Sequence, residues 1–288
     1  MSRKVAGGKR LVGGVACLIW LMGCMLVTSS AAPTSSPPHP GDFAAFTPSP
    51  VHLPTPSPPP DTGWQTLRPG LEQRVVRLLA ADGRVQEELS VFRIDPALYE
   101  FRVAYRPGGP QTLAQWQAET GALLVVNGGF FTEEFVATGL TVIEGQANGR
   151  SYGDFAGMFA VTADGPAVRW LGARPYNPNE PLLYALQSFP MLLKPGGQVG
   201  YPDEDGAAAR RTVVAQDGDG RVLFILAPWG SFTLHQLSVW LAESDLNLDI
   251  ALNLDGGTST GLHLTGPEVV IPAFTRLPVV ITVFPKTP

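Results

Sequence analysis

The stretch Asn253-Leu254-Asp255-Gly256-Gly257-Thr258-Ser259-Thr260-Gly261 gathers an amide, a carboxylate, two adjacent glycines and a run of hydroxyls at the end of an apolar segment that starts at Ile250. Glycine allows close approach of a ligand and backbone angles that other residues avoid. Asp-Gly alone is an ordinary turn signal, but a turn needs neither Asn253 nor the hydroxyls after the glycines. Asp255 is the best-placed carboxylate, and its type suits a general acid, a general base or a nucleophile. Amides and hydroxyls such as Asn253, Ser259 and Thr260 read sugar hydroxyls. Exposed N–H groups, offered here by Gly256 and Gly257, read phosphate oxygens, as arginine does.

A second stretch repeats the design. Ala122-Leu123-Leu124-Val125-Val126 has the continuous apolar character of a strand buried on both faces, and it ends in Asn127-Gly128-Gly129-Phe130-Phe131. Two central strands that stop side by side at a polar residue and two glycines make a floor for a site. Asn127, Gly128 and Gly129 therefore join the candidate substrate-binding residues.

Other chemistries fit poorly. Gly257 to Gly261 satisfies G-x-S-x-G, but a nucleophile elbow requires a following helix and a later acid and histidine. Here strand-like residues follow, and the later histidine, His263, is too near in sequence to fold back. The cysteines, Cys17 and Cys24, lie in the N-terminal segment, which removes thiol catalysis and Cys-ligated metals from the folded domain. No Walker or dinucleotide-binding glycine loop is present. Asp217-Gly218-Asp219-Gly220 lacks the closing Glu of a calcium loop and reads as a hairpin turn. A divalent cation, Ca or Mg, held by Asp and Asn oxygens stays open as a cofactor, with no metal ligands assigned.

The elements that must position these residues are mostly strands. Arg74–Leu79 and Val85–Ile94 flank an Ala81-Asp82-Gly83 turn, and Phe101–Tyr105 alternates. Thr112 caps a short helix over 113–120 that Gly121 ends, and Thr233 caps another over 234–243 with an apolar stripe of Leu234, Leu237 and Leu241. Residues 138–143, 158–162, 168–171, 213–215, 222–227, 262–264, 269–271 and 279–284 read as strands, while 184–193 fits helix and strand equally. Strands in runs with few helices point to a single α+β domain of mixed, largely antiparallel sheets with a few flanking helices.

Composition divides the 288 residues into three parts. Residues 1–32 read as an export signal: Arg3, Lys4, Lys9 and Arg10 precede an uncharged run from Leu11 to Val27. Leu21-Met22-Gly23-Cys24 resembles a lipobox, which would lipidate Cys24; cleavage near Ala32 and retention as an uncleaved anchor are the rivals. Each outcome puts the domain outside the cytoplasm, either secreted or as a membrane-anchored lipoprotein. Residues 33–63 are a Pro/Ser-rich tether, with 11 prolines between Pro33 and Pro60. Residues 64–288 are long enough for one sizeable core. The net charge of −5 becomes −9 without the first 32 residues (16 basic against 25 acidic). An acidic domain without a basic run does not suit nucleic acid, and leaves membrane contact to the N-terminal lipid or signal anchor.

Asn127-Gly128-Gly129-Phe130-Phe131, Arg211-Thr212, Phe232-Thr233-Leu234 and Asn253-Leu254-Asp255-Gly256-Gly257-x-Ser259, in that order, resemble the phosphodiester glycosidase family, which includes the lysosomal uncovering enzyme and many exported bacterial proteins. The resemblance covers roughly 123–284. It implies hydrolysis of a sugar-1-phosphodiester, with a carbohydrate phosphodiester as partner, and it carries Asn127, Arg211, Asn253, Asp255 and Ser259 over as site positions. On that analogy Asp255, Asn253 and Arg211 are catalytic, with Arg211 on the phosphate. The sequence departs at Thr258, where many members have a third glycine, and at Phe189, where glycine is common. A non-catalytic, envelope-tethered glycan-binding module is the alternative from another class.

Overall fold

The computed structural model describes residues 59–287. The expected export signal and most of the tether lie outside them. Among the described residues no helix is long and apolar enough to cross a membrane.

Three antiparallel sheets and two α-helices make up the domain, an α+β fold of the kind the sequence predicts. The largest sheet has eight strands, and its centre is formed by Ala209–Asp217 between Val222–Phe232 and Leu248–Asn253. Met191–Lys194 continues the sheet beyond Leu248–Asn253. Two five-stranded sheets complete it: one places Tyr184–Ser188 between Thr141–Ile143 and Gly157–Thr162, and the other places Leu124–Asn127 between Leu262–Leu264 and Val279–Pro285.

One core joins all three sheets. Phe101, Phe159 and Phe224 come from a different sheet each, with Phe101 centred 6.1 Å from Phe159 and 6.5 Å from Phe224. On the other face of the large sheet, Val213 and Leu192 pack with Leu237 and Leu241 of α2 (Leu234–Glu243). Both helices start at a reciprocal capping box: Thr112 with Gln115 for α1 (Leu113–Thr120), and Thr233 with Gln236 for α2. These boxes satisfy N–H groups that the first turn leaves unpaired. Gly121, at φ 69°, ends α1 in the left-handed conformation expected of a glycine stop.

Three expectations change in detail. The ambiguous 184–193 segment is two strands, Tyr184–Ser188 and Met191–Lys194, in different sheets, because Phe189-Pro190 interrupts the ladder. The strand expected over 138–143 shrinks to Thr141–Ile143, since Thr138 instead donates its N–H to Phe130 O. The ordered body also begins before Trp64. Arg77 N donates to Pro60 O, Thr62 N to Val75 O, and Asp61 receives the Arg74 guanidinium.

Candidate active site

The two glycine-ended strands do meet, though not as neighbours in one sheet. Leu248–Asn253 belongs to the large sheet and Leu124–Asn127 to another, and their ends converge. Asp255 N donates to Gly128 O at 3.0 Å, and Asn127 Nδ2 donates to Asp255 O at 2.7 Å. Asn127 Oδ1 accepts from Thr212 Oγ1 at 2.8 Å and from Gly261 N at 3.1 Å. Asn127 is fully buried with its amide engaged by the protein. It is therefore a clamp on the Asp255 backbone, whereas its residue type alone suggested a group that reads substrate.

The glycines divide by role. A Cβ on Gly256 would stand 2.6 Å from Arg210 O, and one on Gly129 2.8 Å from Gln187 O, so both permit close packing of backbone on backbone. Gly128 N donates to Val279 O, and Gly256 N to Asp255 Oδ1 at 2.9 Å. Neither is the bare phosphate-reading donor that the sequence suggested. Gly257 has φ 58°, in the left-handed region that favours glycine, and nothing within 4 Å of its Cβ position.

Asp255 is the carboxyl group at this strand end. Burial pushes its carboxyl up to about 6, against the lowering effect of hydrogen bonds from Ser259 and Gly256 N. Ser259 lies buried in the short turn Gly257–Ser259 beside that carboxylate. The strand Leu262–Leu264 follows this turn, so no nucleophile elbow exists. Thr260 is fully buried, and its hydroxyl has no hydrogen-bond partner.

Arg211 stands level with Asp255 across the sheet. Val213 pairs with Asn253 and Leu254 N donates to Thr212 O, so the next position in register is Arg211 opposite Asp255. Its guanidinium donates to the carbonyls of Phe232 and Ala207. Among the described residues it makes no ion pair with a carboxylate. Burial lowers its pKa, and the residue stays cationic because arginine starts far above neutrality. The Asp205 carboxylate acts on it electrostatically without forming a contact ion pair, and a half-buried guanidinium on a cleft wall suits a phosphate.

Arg211 and Asn253 both line a cleft of about 720 Å³, whereas Asp255, two residues after Asn253, is not part of its lining. Asn253 Nδ2 donates to Phe189 O at 2.9 Å, while its Oδ1 is buried without a partner. Phe130 and Phe189 form an aromatic wall, with ring centroids 4.6 Å apart, and Phe155 and Tyr152 meet Phe189 edge-on. Phe130 follows Gly129 directly, and Phe189 follows the strand Tyr184–Ser188. The wall is the feature that residue-by-residue reading of polar groups passed over. No cluster of three or more metal-binding side chains occurs among the described residues.

The family model for phosphodiester glycosidases matches residues 120–280, more than half of the chain. No curated protein sequence matches. Among solved structures, the catalytic domain of zebrafish N-acetylglucosamine-1-phosphodiester alpha-N-acetylglucosaminidase, auto-inhibited by its pro-peptide, is similar in fold, with TM-score 0.61 and 18% identity over 77% of this chain and 86% of that one. A hypothetical protein from Synechocystis aligns with TM-score 0.54 and 15% identity over 76% of this chain and 62% of that one. A protein of Burkholderia pseudomallei held to be exported aligns with TM-score 0.50 and 16% identity over 69% of this chain and 74% of that one.

Proposed function

Because this chain belongs to the phosphodiester glycosidase family, we propose that it hydrolyses the glycosidic bond of a sugar-1-phosphodiester, releasing a free sugar and a phosphomonoester. The observation that carries the reading is Asp255, a carboxyl that burial raises to about 6, two residues beyond Asn253, which lines the same cleft as the Arg211 guanidinium. Arg211 takes the phosphate and neutralises the charge that grows on it as the bond breaks. Asp255 serves as the base that removes a proton from water attacking the anomeric carbon, and its raised pKa makes it a stronger base than an ordinary aspartate. The leaving group departs as a stabilised phosphate anion. A second carboxylic acid, required when a sugar alkoxide leaves, is not needed. Asn253, on the wall of the cleft, orients the sugar.

The likeness to the zebrafish enzyme makes N-acetylglucosamine the first sugar to try. The purified protein is to be incubated with a panel of sugar-1-phosphodiesters, with and without EDTA, and released sugar measured. Turnover that Asp255→Asn abolishes while circular dichroism stays unchanged is the expected result. Full activity in Asp255→Asn, or saturable binding with no product on long incubation, overturns it, the latter in favour of a glycan-binding role. Activity lost only in EDTA would supply the divalent cation left open by the sequence. We further propose export through residues 1–32 and a tether after them, which would place the site among envelope or extracellular glycans.

A further inference from the structure

The strand Ala209–Asp217 turns its side chains alternately to the two faces of the large sheet. Val213 packs on the α2 side, and Val214 lies in the core that joins the three sheets. Arg211 falls on the face of Val213 and lines the cleft. Thr212 falls on the core face and is fully buried. Within 212–215 it is the one polar side chain. The strand itself does not call for a hydroxyl there, since valine has the same branched shape and suits a strand as well.

The hydroxyl has a defined partner. Thr212 Oγ1 donates to Asn127 Oδ1 at 2.8 Å, and the same oxygen accepts from Gly261 N at 3.1 Å. With two donors on its oxygen, the Asn127 amide has one orientation, in which Nδ2 donates to Asp255 O at 2.7 Å. The Thr212 carbonyl makes a second link by accepting from Leu254 N at 2.8 Å. One residue therefore holds the Asp255 loop twice, directly at Leu254 and through Asn127 at Asp255. Arg211 comes immediately before it, so both ties run from the peptide next to the guanidinium. The tie through Asn127 also crosses from the large sheet to the separate sheet that contains Leu124–Asn127.

We propose that Thr212 is a positioning residue: its hydroxyl, acting through the Asn127 amide, fixes Asp255 relative to the Arg211 guanidinium. The inference rests on the reading that Asp255 is the base and Arg211 the phosphate ligand. Thr212 is shut off from the cleft by its burial, so loss of the hydroxyl acts on turnover and not on substrate binding. A hydroxyl with a purely structural role would alter stability and leave the chemistry of the folded molecules as it was.

Thr212→Val removes the hydroxyl and keeps the branched shape, while Thr212→Ser keeps the hydroxyl. Each is assayed in the full chain on an N-acetylglucosamine-1-phosphodiester, with thermal melts to establish that it is folded at the assay temperature. The Asp255 carboxyl is titrated separately by carbon NMR of protein labelled at its aspartates, with Asp255→Asn supplying the assignment. In Thr212→Val, kcat should fall by roughly tenfold to a hundredfold, as a small displacement of a reacting group does. KM should stay within about twofold, because binding is untouched. The Asp255 titration, which burial holds at about 6, should move toward the ordinary aspartate range as the displaced carboxyl meets water. Thr212→Ser should recover most of the turnover and the titration. Serine and alanine differ by this hydroxyl alone, so Thr212→Ala set against Thr212→Ser repeats the comparison if the valine variant does not fold. Wild-type kcat or an unmoved titration in Thr212→Val, or a loss that Thr212→Ser shares in full, overturns the positioning role and leaves the hydrolytic reading intact. A titration that moves in Thr212→Val and returns in Thr212→Ser, with no turnover by the wild-type protein, leaves the link standing and overturns the hydrolytic reading. No turnover and no movement overturn both.

Discussion

At the scale of single residues the chemistry turns on Asp255, whose carboxyl burial moves to about 6. A base must be ionised to work, so kcat/KM should rise as pH increases through about 6 and level off above it. A profile that falls over that range would contradict the assignment. The same shift bears on stability. The native state holds this proton more tightly than the unfolded chain, so between the ordinary aspartate pKa and about 6 stability falls as pH rises, and the loss is complete above 6. Asp255→Asn removes the cost of burying a charge and should stabilise the protein at neutral pH, by about 3 kcal/mol at most. Thermal melts of the two proteins at acidic and neutral pH measure it: the gain should appear at neutral pH and vanish in acid. Asp255 is legible in the sequence through its surroundings: Asp-Gly alone reads as a turn, but a turn needs neither Asn253 before it nor the hydroxyls after the glycines. The role of Asn127 is not legible in the sequence, for a physical reason: an amide that reads a sugar and one that clamps a backbone have the same sequence signature. Only its bonds to Thr212, Gly261 and Asp255 separate the two.

Among the elements, the deciding feature is the close stacking of strand ends. Gly256 lets the Asp255 loop lie against Arg210, the neighbour in sequence of Arg211, the proposed phosphate ligand. Gly256→Ala would drive a methyl group into Arg210 O and displace Asp255 and Arg211 relative to each other. A misplacement of about 1 Å can cost on the order of a hundredfold in rate. The variant should therefore lose most of its kcat/KM, whereas Gly83→Ala, at a hairpin tip with open space around it, should keep wild-type activity. Similar kinetics for the two variants would show that the close approach does not matter. Helix caps, glycine stops and strand runs were readable from local sequence, since Thr112, Gly121 and Thr233 act within a few residues of themselves. Which strands share a sheet was not readable. The apolar runs ending at Asn127 and Asn253 look alike, and only long-range pairing assigns them to different sheets.

For the whole molecule, composition marked the tether but placed its end too late. Pro/Ser content says where a chain cannot build a core, yet Pro60, Asp61 and Thr62 are held by Arg74, Val75 and Arg77 of a neighbouring strand. A protein starting at Trp64 should consequently be less stable than one starting at Pro59, by about 1–3 kcal/mol for the lost hydrogen bonds. Urea unfolding of the two fragments checks this, and equal midpoints would return residues 59–63 to the tether. The central claim, that the chain breaks a carbon–oxygen bond at a sugar and not a phosphorus–oxygen bond, has a direct test. Hydrolysis of an N-acetylglucosamine-1-phosphodiester is to be run in heavy-oxygen water, and the phosphomonoester product inspected by phosphorus NMR. Attack on the anomeric carbon leaves that phosphate free of label. Heavy oxygen in the phosphate would mean attack at phosphorus, and would contradict the roles given to Asp255 and Arg211.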